Sequence, residues 1–479
     1  MNHSDAHIDD DLNVDFDDQE GYESYEDDYH GESDWAEDES EGSALVPILV
    51  ASSVGIMSVV QALDARLASF EKIAYAGLFG ILLLVALLSR FRFRDFGWAT
   101  LIGAVCLLPA ISIAYQPHVY PLWIMGDMII LLAPIVFWLI MQSHPRVLES
   151  RYINVMLALF LLGALIAPAF ANATEHGRFE PPRFLLFAAG WYVIFRGQKI
   201  ANTLTVALIT FLLLGVTWFS DVRVAVLLWF AAGGLTAVMV SSLQRFLVLG
   251  ALGFAMLVGM MFVVPSDSDL FRKSRFAKVD IRAITENDFV KYRLGECKEV
   301  LQFFRRTANV PHVIFGHGFG AAYPSNGTHL AHAKSSAFRK AAMAQKLNEH
   351  GFAHTLHFGP MRVYFRYGLI GIAAYLVLGY FVTTDIFRVL MGRTHFSDRE
   401  DIVYTNTIIL VTLFCMLARF HLKNVEHDLD FAFVVAAYLT RRHWFQSISD
   451  DVEYEDEYED DVEYEDEAYY DDEYAPEYA

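Results

Sequence analysis

The chain has 479 residues, 54% of them hydrophobic, with a mean hydropathy of +0.31, yet its formal net charge is −22. Residues 1–43 hold 18 Asp and Glu and residues 450–479 hold 17, with no Lys or Arg in either stretch, so the body between them sets 23 acidic residues against 36 basic ones. A basic and very apolar body excludes an ordinary soluble domain, whose surface must be mostly polar. Acidic ends that repel phosphate argue against nucleic acid as a partner, and three cysteines without a CxxC pair exclude a disulfide scaffold.

In chain order, residues 1–43 come first. Like charge this dense cannot support a packed core and predicts a disordered acidic tail. The stretch has no basic n-region, so the apolar run behind it is not a cleavable signal peptide. A helix needs about 20 apolar residues to cross the hydrocarbon. Runs of that kind fall near 44–62, 73–89, 96–115, 121–141, 152–171, 184–196, 200–219, 222–241, 246–264, 362–387, 402–419 and 429–440, the sixth and twelfth being short. The expectation is an all-α, polytopic integral membrane protein with about 12 transmembrane helices. Helices one to nine occupy 44–264, a large loop 265–357, and helices ten to twelve 358–445. Residues 446–479 form a second disordered tail, acidic and Tyr-rich, in which Asp451–Glu457 returns ten residues later at 461–467. Such tails either solvate the ends or dock on a basic cytoplasmic partner.

Lys and Arg in short loops set the orientation. With the N-terminus cytoplasmic, the inner loops carry 13 and the outer short loops 6. Both tails are then cytoplasmic, and the loop 265–357 is external, or periplasmic in a Gram-negative cell. That loop contains seven His (312, 317, 329, 332, 350, 354 and 357) and 14 Lys and Arg. Basic residues at the membrane surface suit an anionic ligand held there, and a lipid-linked pyrophosphate fits, since Arg grips phosphate oxygens bidentately.

Three features sharpen this reading. Arg223 heads an apolar run at the outer mouth of the eighth helix, where it either snorkels, pairs with Asp221 or meets a ligand. Arg293 lies in Lys291–Leu301, an amphipathic helix that leads to the glycine-rich turn Gly316-His317-Gly318-Phe319-Gly320. Without a strand–helix unit around it, that turn is not a dinucleotide site. The loop then leaves through His354, His357, Arg362 and Arg366 into a membrane helix containing Gly368-Leu369-Ile370-Gly371. His is the side chain best suited to accept a proton near neutral pH, and the two arginines, four apart, share one helical face at headgroup level. His354 and His357 alone are too few ligands for a metal, and no Asp or Glu stands near them.

This pattern resembles the O-antigen ligase and O-antigen polymerase superfamily of bacterial membrane glycosyltransferases. The architecture is similar, and so is the run from Arg293 through a short helix to Gly-x-Gly. The loop's exit resembles the family's His, polar residue, nine residues, Gly-x-x-Gly, here counted from His357 to Gly368 and Gly371. Phe358 stands where the family usually has a small polar residue and Ile372 where ligases often have Thr, which leans away from a strict ligase. The resemblance implies a GT-C-like fold in the bacterial inner (cytoplasmic) membrane, metal-independent and without a cofactor. It implies transfer of a glycan from an undecaprenyl-diphosphate carrier to a hydroxyl of another glycan, a lipid A core or another acceptor. In that reading Arg223 and Arg293 bind the diphosphate, His357 is the general base, and His354 is its backup. Arg362 and Arg366 are added here as secondary phosphate contacts. Two other classes compete: a 12-helix transporter or flippase, for which Asp127 and Arg419 are the ionisable candidates, and a membrane scaffold recruiting partners through its tails.

Overall fold

A computed structural model describes residues 44–64, 70–89, 93–115, 121–171, 184–196, 223–240, 247, 250–251, 288–307, 309–324, 352–353, 356, 358–391, 400–420 and 429–442. These are overwhelmingly helical. In order they form α1 (Leu45–Asp64), α2 (Phe70–Leu88), α3 (Phe93–Leu107), α4 (Pro121–Ser143), α5 (Ser150–Ala171), α6 (Phe184–Arg196) and α7 (Arg223–Met239). After these come α8 (Asp288–Thr307), α9 (Val310–Phe315), α10 (Gly359–Leu390), α11 (Glu400–Phe420) and α12 (Leu429–Arg441). Two short strands, β1 (Tyr323–Pro324) and β2 (Phe352–Ala353), pair antiparallel with Tyr323 opposite Ala353. Ten of the twelve apolar runs coincide with helices. The run 200–219, nearly all of 246–264 and both acidic tails lie outside the described residues.

Three described stretches are long and apolar enough to cross a membrane: Ile124–Ser143, Gly359–Leu390 and Asp401–Arg419. Shorter apolar stretches of 10–17 residues lie in α1, α2, α3, α5, α6 and α7. Two runs depart from simple helices. The run 96–115 is α-helical only to Leu107 and then continues as a 3-10 helix, Leu108–Tyr115. Pro109 has no N–H to continue the α-helical ladder, so the chain tightens there. The run 362–387 starts earlier, at Gly359, and breaks at Gly368, whose φ of 61° and ψ of −152° are non-helical.

Small residues let the helices approach closely. A Cβ at Gly163 would lie 2.4 Å from Ser58 Oγ, and one at Gly55 would lie 2.7 Å from Leu159 Cβ, so α1 and α5 cross almost backbone to backbone. Ser58 Oγ sits 2.9 Å from the carbonyl oxygens of both Gly55 and Leu159, which places its one polar group between the helices. Between α6 and α7, Trp191 fills the space a side chain at Gly233 would need and donates its indole N–H to Trp229 O at 3.0 Å. Phe137 of α4 meets Phe433 of α12 edge to face at 5.7 Å. These contacts belong to one continuous apolar core running through α1, α2, α4–α7 and α10–α12.

The faces turned away from this core are also apolar. Ile73, Leu84, Leu87 and Leu88 on α2, and Leu369, Leu376, Val377 and Phe387 on α10, are all exposed. Exposed apolar area on this scale belongs against hydrocarbon rather than water. Near its C-terminal end α10 is pinned to α12 by a buried carboxylate. Asp385 accepts from Tyr438 Oη and lies 3.4 Å from Arg388 and 3.6 Å from Arg442.

Candidate functional site

The loop between α7 and α10 builds its own small unit on the first turns of α10. Helix α8 has period-3.6 apolar positions, and Val300 and Phe304 on that stripe are buried with Ala321, Tyr323, Leu356 and Phe365. Helix α9 begins at Asn309, whose Oδ1 accepts from His312 N at 3.0 Å, and it ends at Gly316. Gly316, Gly318 and Gly320 all have positive φ, which only glycine adopts without strain, so the chain can fold into a tight, flat turn.

That turn docks on the break in α10. Because the helix is interrupted at Gly368, carbonyls of the preceding turn lose their helical partners. The loop replaces them: His317 N donates to Phe365 O at 2.7 Å and Gly318 N donates to Arg366 O at 3.1 Å. The approach is so close that a Cβ at Gly316 would lie 2.4 Å from the Arg366 carbonyl, and one at Gly368 would lie 2.4 Å from Gly316 N. Gly371 is crowded from within α10 itself, for a Cβ there would lie 2.5 Å from Tyr367 Cβ and 2.9 Å from Val363 Cγ1. The two glycine motifs, about fifty residues apart in sequence, therefore interlock.

Asp127 of α4 holds this junction from below. Its carboxylate pairs with the Arg366 guanidinium and accepts from Gly320 N at 2.8 Å, and both charged side chains are only 1% exposed. Removing either partner would strand the other charge in the interior, at a cost of about 3–5 kcal/mol. Arg362, one turn earlier, is equally buried.

A second buried cluster lies beside the turn. The rings of His317 and His312 stack at 4.4 Å and nearly parallel, His317 also stacks on Phe365 at 4.9 Å, and Phe304 meets it edge-on at 4.3 Å. Thr307 Oγ1 donates to Phe303 O at 2.9 Å and lies 3.0 Å from His317 Nε2. The one hydroxyl proton is used on Phe303, so Nε2–H of His317 must donate to Thr307. Nδ1 is left as a lone pair, buried and without a hydrogen-bond partner. Burial, reinforced by the neighbouring His312, lowers the His317 pKa to about 3, so the ring is neutral at any physiological pH.

The expected site residues are placed as follows. Arg362 and Arg366 lie on one face of α10 as their spacing requires, but both are buried. Arg293 lies in α8, three residues before the buried Glu296 and seven before Val300. Arg223 is the first residue of α7. His354 and His357 lie outside the described residues, between β2 and the start of α10, while Leu356 between them is buried with Val300 and Phe304. Among the described residues no three His, Cys, Asp or Glu side chains converge as a metal site.

The sequence reading missed three participants: Asp127 as partner of Arg366, His317 as a buried neutral ring, and Thr307 as its acceptor. Asp127 carried a signal, since a lone carboxylate in an apolar run requires a counter-charge. The stacking of His312 on His317 carried none, because it depends on how the chain turns back at Gly316 after α9.

The turn's backbone N–H groups at 317, 318 and 320 are all consumed by protein acceptors. The glycine-rich run is thus a docking element rather than an anion cradle. An open apolar groove of about 420 Å³ lies between α2 and α4, lined by Phe79, Ile124, Met125, Met128, Ile129 and Leu132. No protein-family model matches the chain, and comparison with curated proteins finds no match.

Proposed function

We propose that this protein is a membrane glycosyltransferase of surface polysaccharide assembly. It transfers or polymerises glycan from an undecaprenyl-diphosphate donor onto an acceptor hydroxyl, in a GT-C-like frame of twelve helices with both tails cytoplasmic and the loop 265–357 outside. The observation that carries this reading is the interlock of the two motifs that led to it. The glycine turn that follows Arg293 and the Gly-x-x-Gly that follows His357 form one rigid junction at the mouth of α10. The junction supports the reading because the two motifs that carry the resemblance meet in it, at the start of α10.

In the reaction the acceptor oxygen attacks the anomeric carbon, its proton passes to His357, and the bond from that carbon to the diphosphate oxygen breaks. The leaving group is already a stable anion. The protein's contribution is therefore cations on the diphosphate, from Arg223 and Arg293, and one base on the nucleophile. The groove between α2 and α4 suits a prenyl chain, being apolar and beside the turn of α4 that bears Asp127. The flippase alternative needs ionisable residues within the membrane, and its candidates are Asp127 and Arg419. Asp127 is paired, and Arg419 lies 5.3 Å over the Phe184 ring, so both have structural roles that need no transported ion.

The test is genetic rescue. Cells lacking the gene are complemented with wild type or His357→Ala, and surface glycan and carrier-linked intermediates are profiled at matched protein levels. Short carrier-linked units accumulating with the mutant indicate a polymerase, and full-length carrier-linked polymer indicates a ligase. Full rescue by His357→Ala refutes the catalytic assignment.

A further inference from the structure

We infer that Asp127 is a positioning residue for the transfer site, and that Arg366 serves as its partner in a tie between the loop and α10 rather than as a phosphate contact. The inference rests on the transfer reading above. One carboxylate, 1% exposed, reaches two elements at once: the Arg366 guanidinium on α10 and the Gly320 amide at the end of the glycine turn. Each of those elements is also bonded directly to the other, through His317 N to Phe365 O and Gly318 N to Arg366 O. Asp127 therefore closes a three-way junction of α4, the loop and the first segment of α10.

The mechanical consequence follows from the break at Gly368. With φ of 61° and ψ of −152°, the residue uncouples Gly359–Tyr367 from the long membrane segment behind it. That first segment, nine residues in all, cannot take its direction from the rest of α10. Its direction comes from what packs on it, which is the glycine turn, the α8 face bearing Val300 and Phe304, and Asp127 through Arg366. His357 stands two residues before this segment and nine before Arg366. In the transfer reading the base precedes this segment in the chain, and a misplacement of about 1 Å at a reacting group can lower the rate about a hundredfold. A guanidinium neutralised by a buried carboxylate and turned toward α4 has little charge to offer a diphosphate, whose oxygens favour an uncompensated cation.

The experiment uses the full-length protein in phospholipid nanodiscs, with carrier-linked glycan extracted from cells lacking the gene as donor. Wild type, Asp127→Asn, Arg366→Gln, the double variant and His357→Ala are compared for kcat, KM and the pH profile of kcat. The Asn/Gln pair is neutral and Asn keeps an oxygen for the Gly320 amide, so the double variant leaves no charge stranded in the junction. The expected result is a fall in kcat of about 100-fold for each single variant at unchanged KM, with the His357 limb of the pH profile altered, and recovery in the double to within about tenfold. A double variant no better than Arg366→Gln, with a raised KM for the donor, would place Arg366 on the phosphates and overturn the inference. Unaltered kcat and pH profile per mole of folded single variant would also overturn it, leaving the tie a matter of folding alone. The transfer reading fails separately, if wild type leaves the donor unconsumed. The tie is then decided by hydrogen exchange: the Gly318 and Gly320 amides should lose protection in Asp127→Asn and regain it in the double, and unchanged protection would refute it.

Discussion

Acid should loosen the junction between the glycine turn and α10, and His317 sets the size of the effect. The ring is fully buried between His312, Phe304 and Phe365, its Nε2–H is committed to Thr307, and its pKa falls from 6.5 to about 3. Burial is the larger cause of that fall, and the neighbouring His312 ring, stacked at 4.4 Å, adds to it. A His with a lowered pKa in the docked state binds its proton more readily once undocked. Docking is therefore at full strength above about pH 6.5 and weakens as the pH falls from there toward 3. At 1.36 kcal/mol per pH unit, acidification from pH 7.5 to 5 should remove about 2 kcal/mol, or a factor of about 30 in the docking equilibrium.

The assay is hydrogen exchange of the His317, Gly318 and Gly320 amides in detergent-solubilised protein, corrected for the intrinsic pH dependence of exchange. His317→Phe retains a ring that can stack between His312 and Phe365. It loses the Thr307 bond, worth about 1 kcal/mol, and should flatten the slope. Protection independent of pH between 7.5 and 5 in the wild type, or an unchanged slope in His317→Phe, would refute the linkage argument.

Two further substitutions test the close approaches. Gly368→Ala combines a left-handed φ with a Cβ 2.4 Å from the Gly316 amide, so it should weaken the junction by at least about 2 kcal/mol and expose the glycine turn to protease. Gly379→Ala on the same helix meets nothing within 4 Å and should be neutral or slightly stabilising by the same proteolysis assay. Gly163→Leu should force α1 from α5, since even a Cβ there lies 2.6 Å from the Ser58 backbone carbon, and thermal melting in detergent should fall by several degrees.

Much of the helical layout was legible because it depends on local composition. An apolar run of helical length carries its own signal, and ten such runs reappear as helices with ends shifted by a few residues. The amphipathic pattern of Lys291–Leu301 was likewise sufficient for α8, which extends it to Asp288–Thr307. The break in α10 was not legible. Gly368 sits in an apolar stretch where glycine is common, and its left-handed conformation exists only because the glycine turn lies against it.

The same division applies to the site. Composition alone determined that the body is apolar and basic between acidic ends, and that His and Arg gather in one loop and its exit, because those are sums over residues and need no coordinates. Spacing determined that Arg362 and Arg366 share a helical face. Only the tertiary structure decided what that face meets. Asp127 and Arg366 are 239 residues apart, and Gly320 joins them from a third element. A buried charge demands a partner, but only the packing of α4, the loop and α10 determines which one it finds.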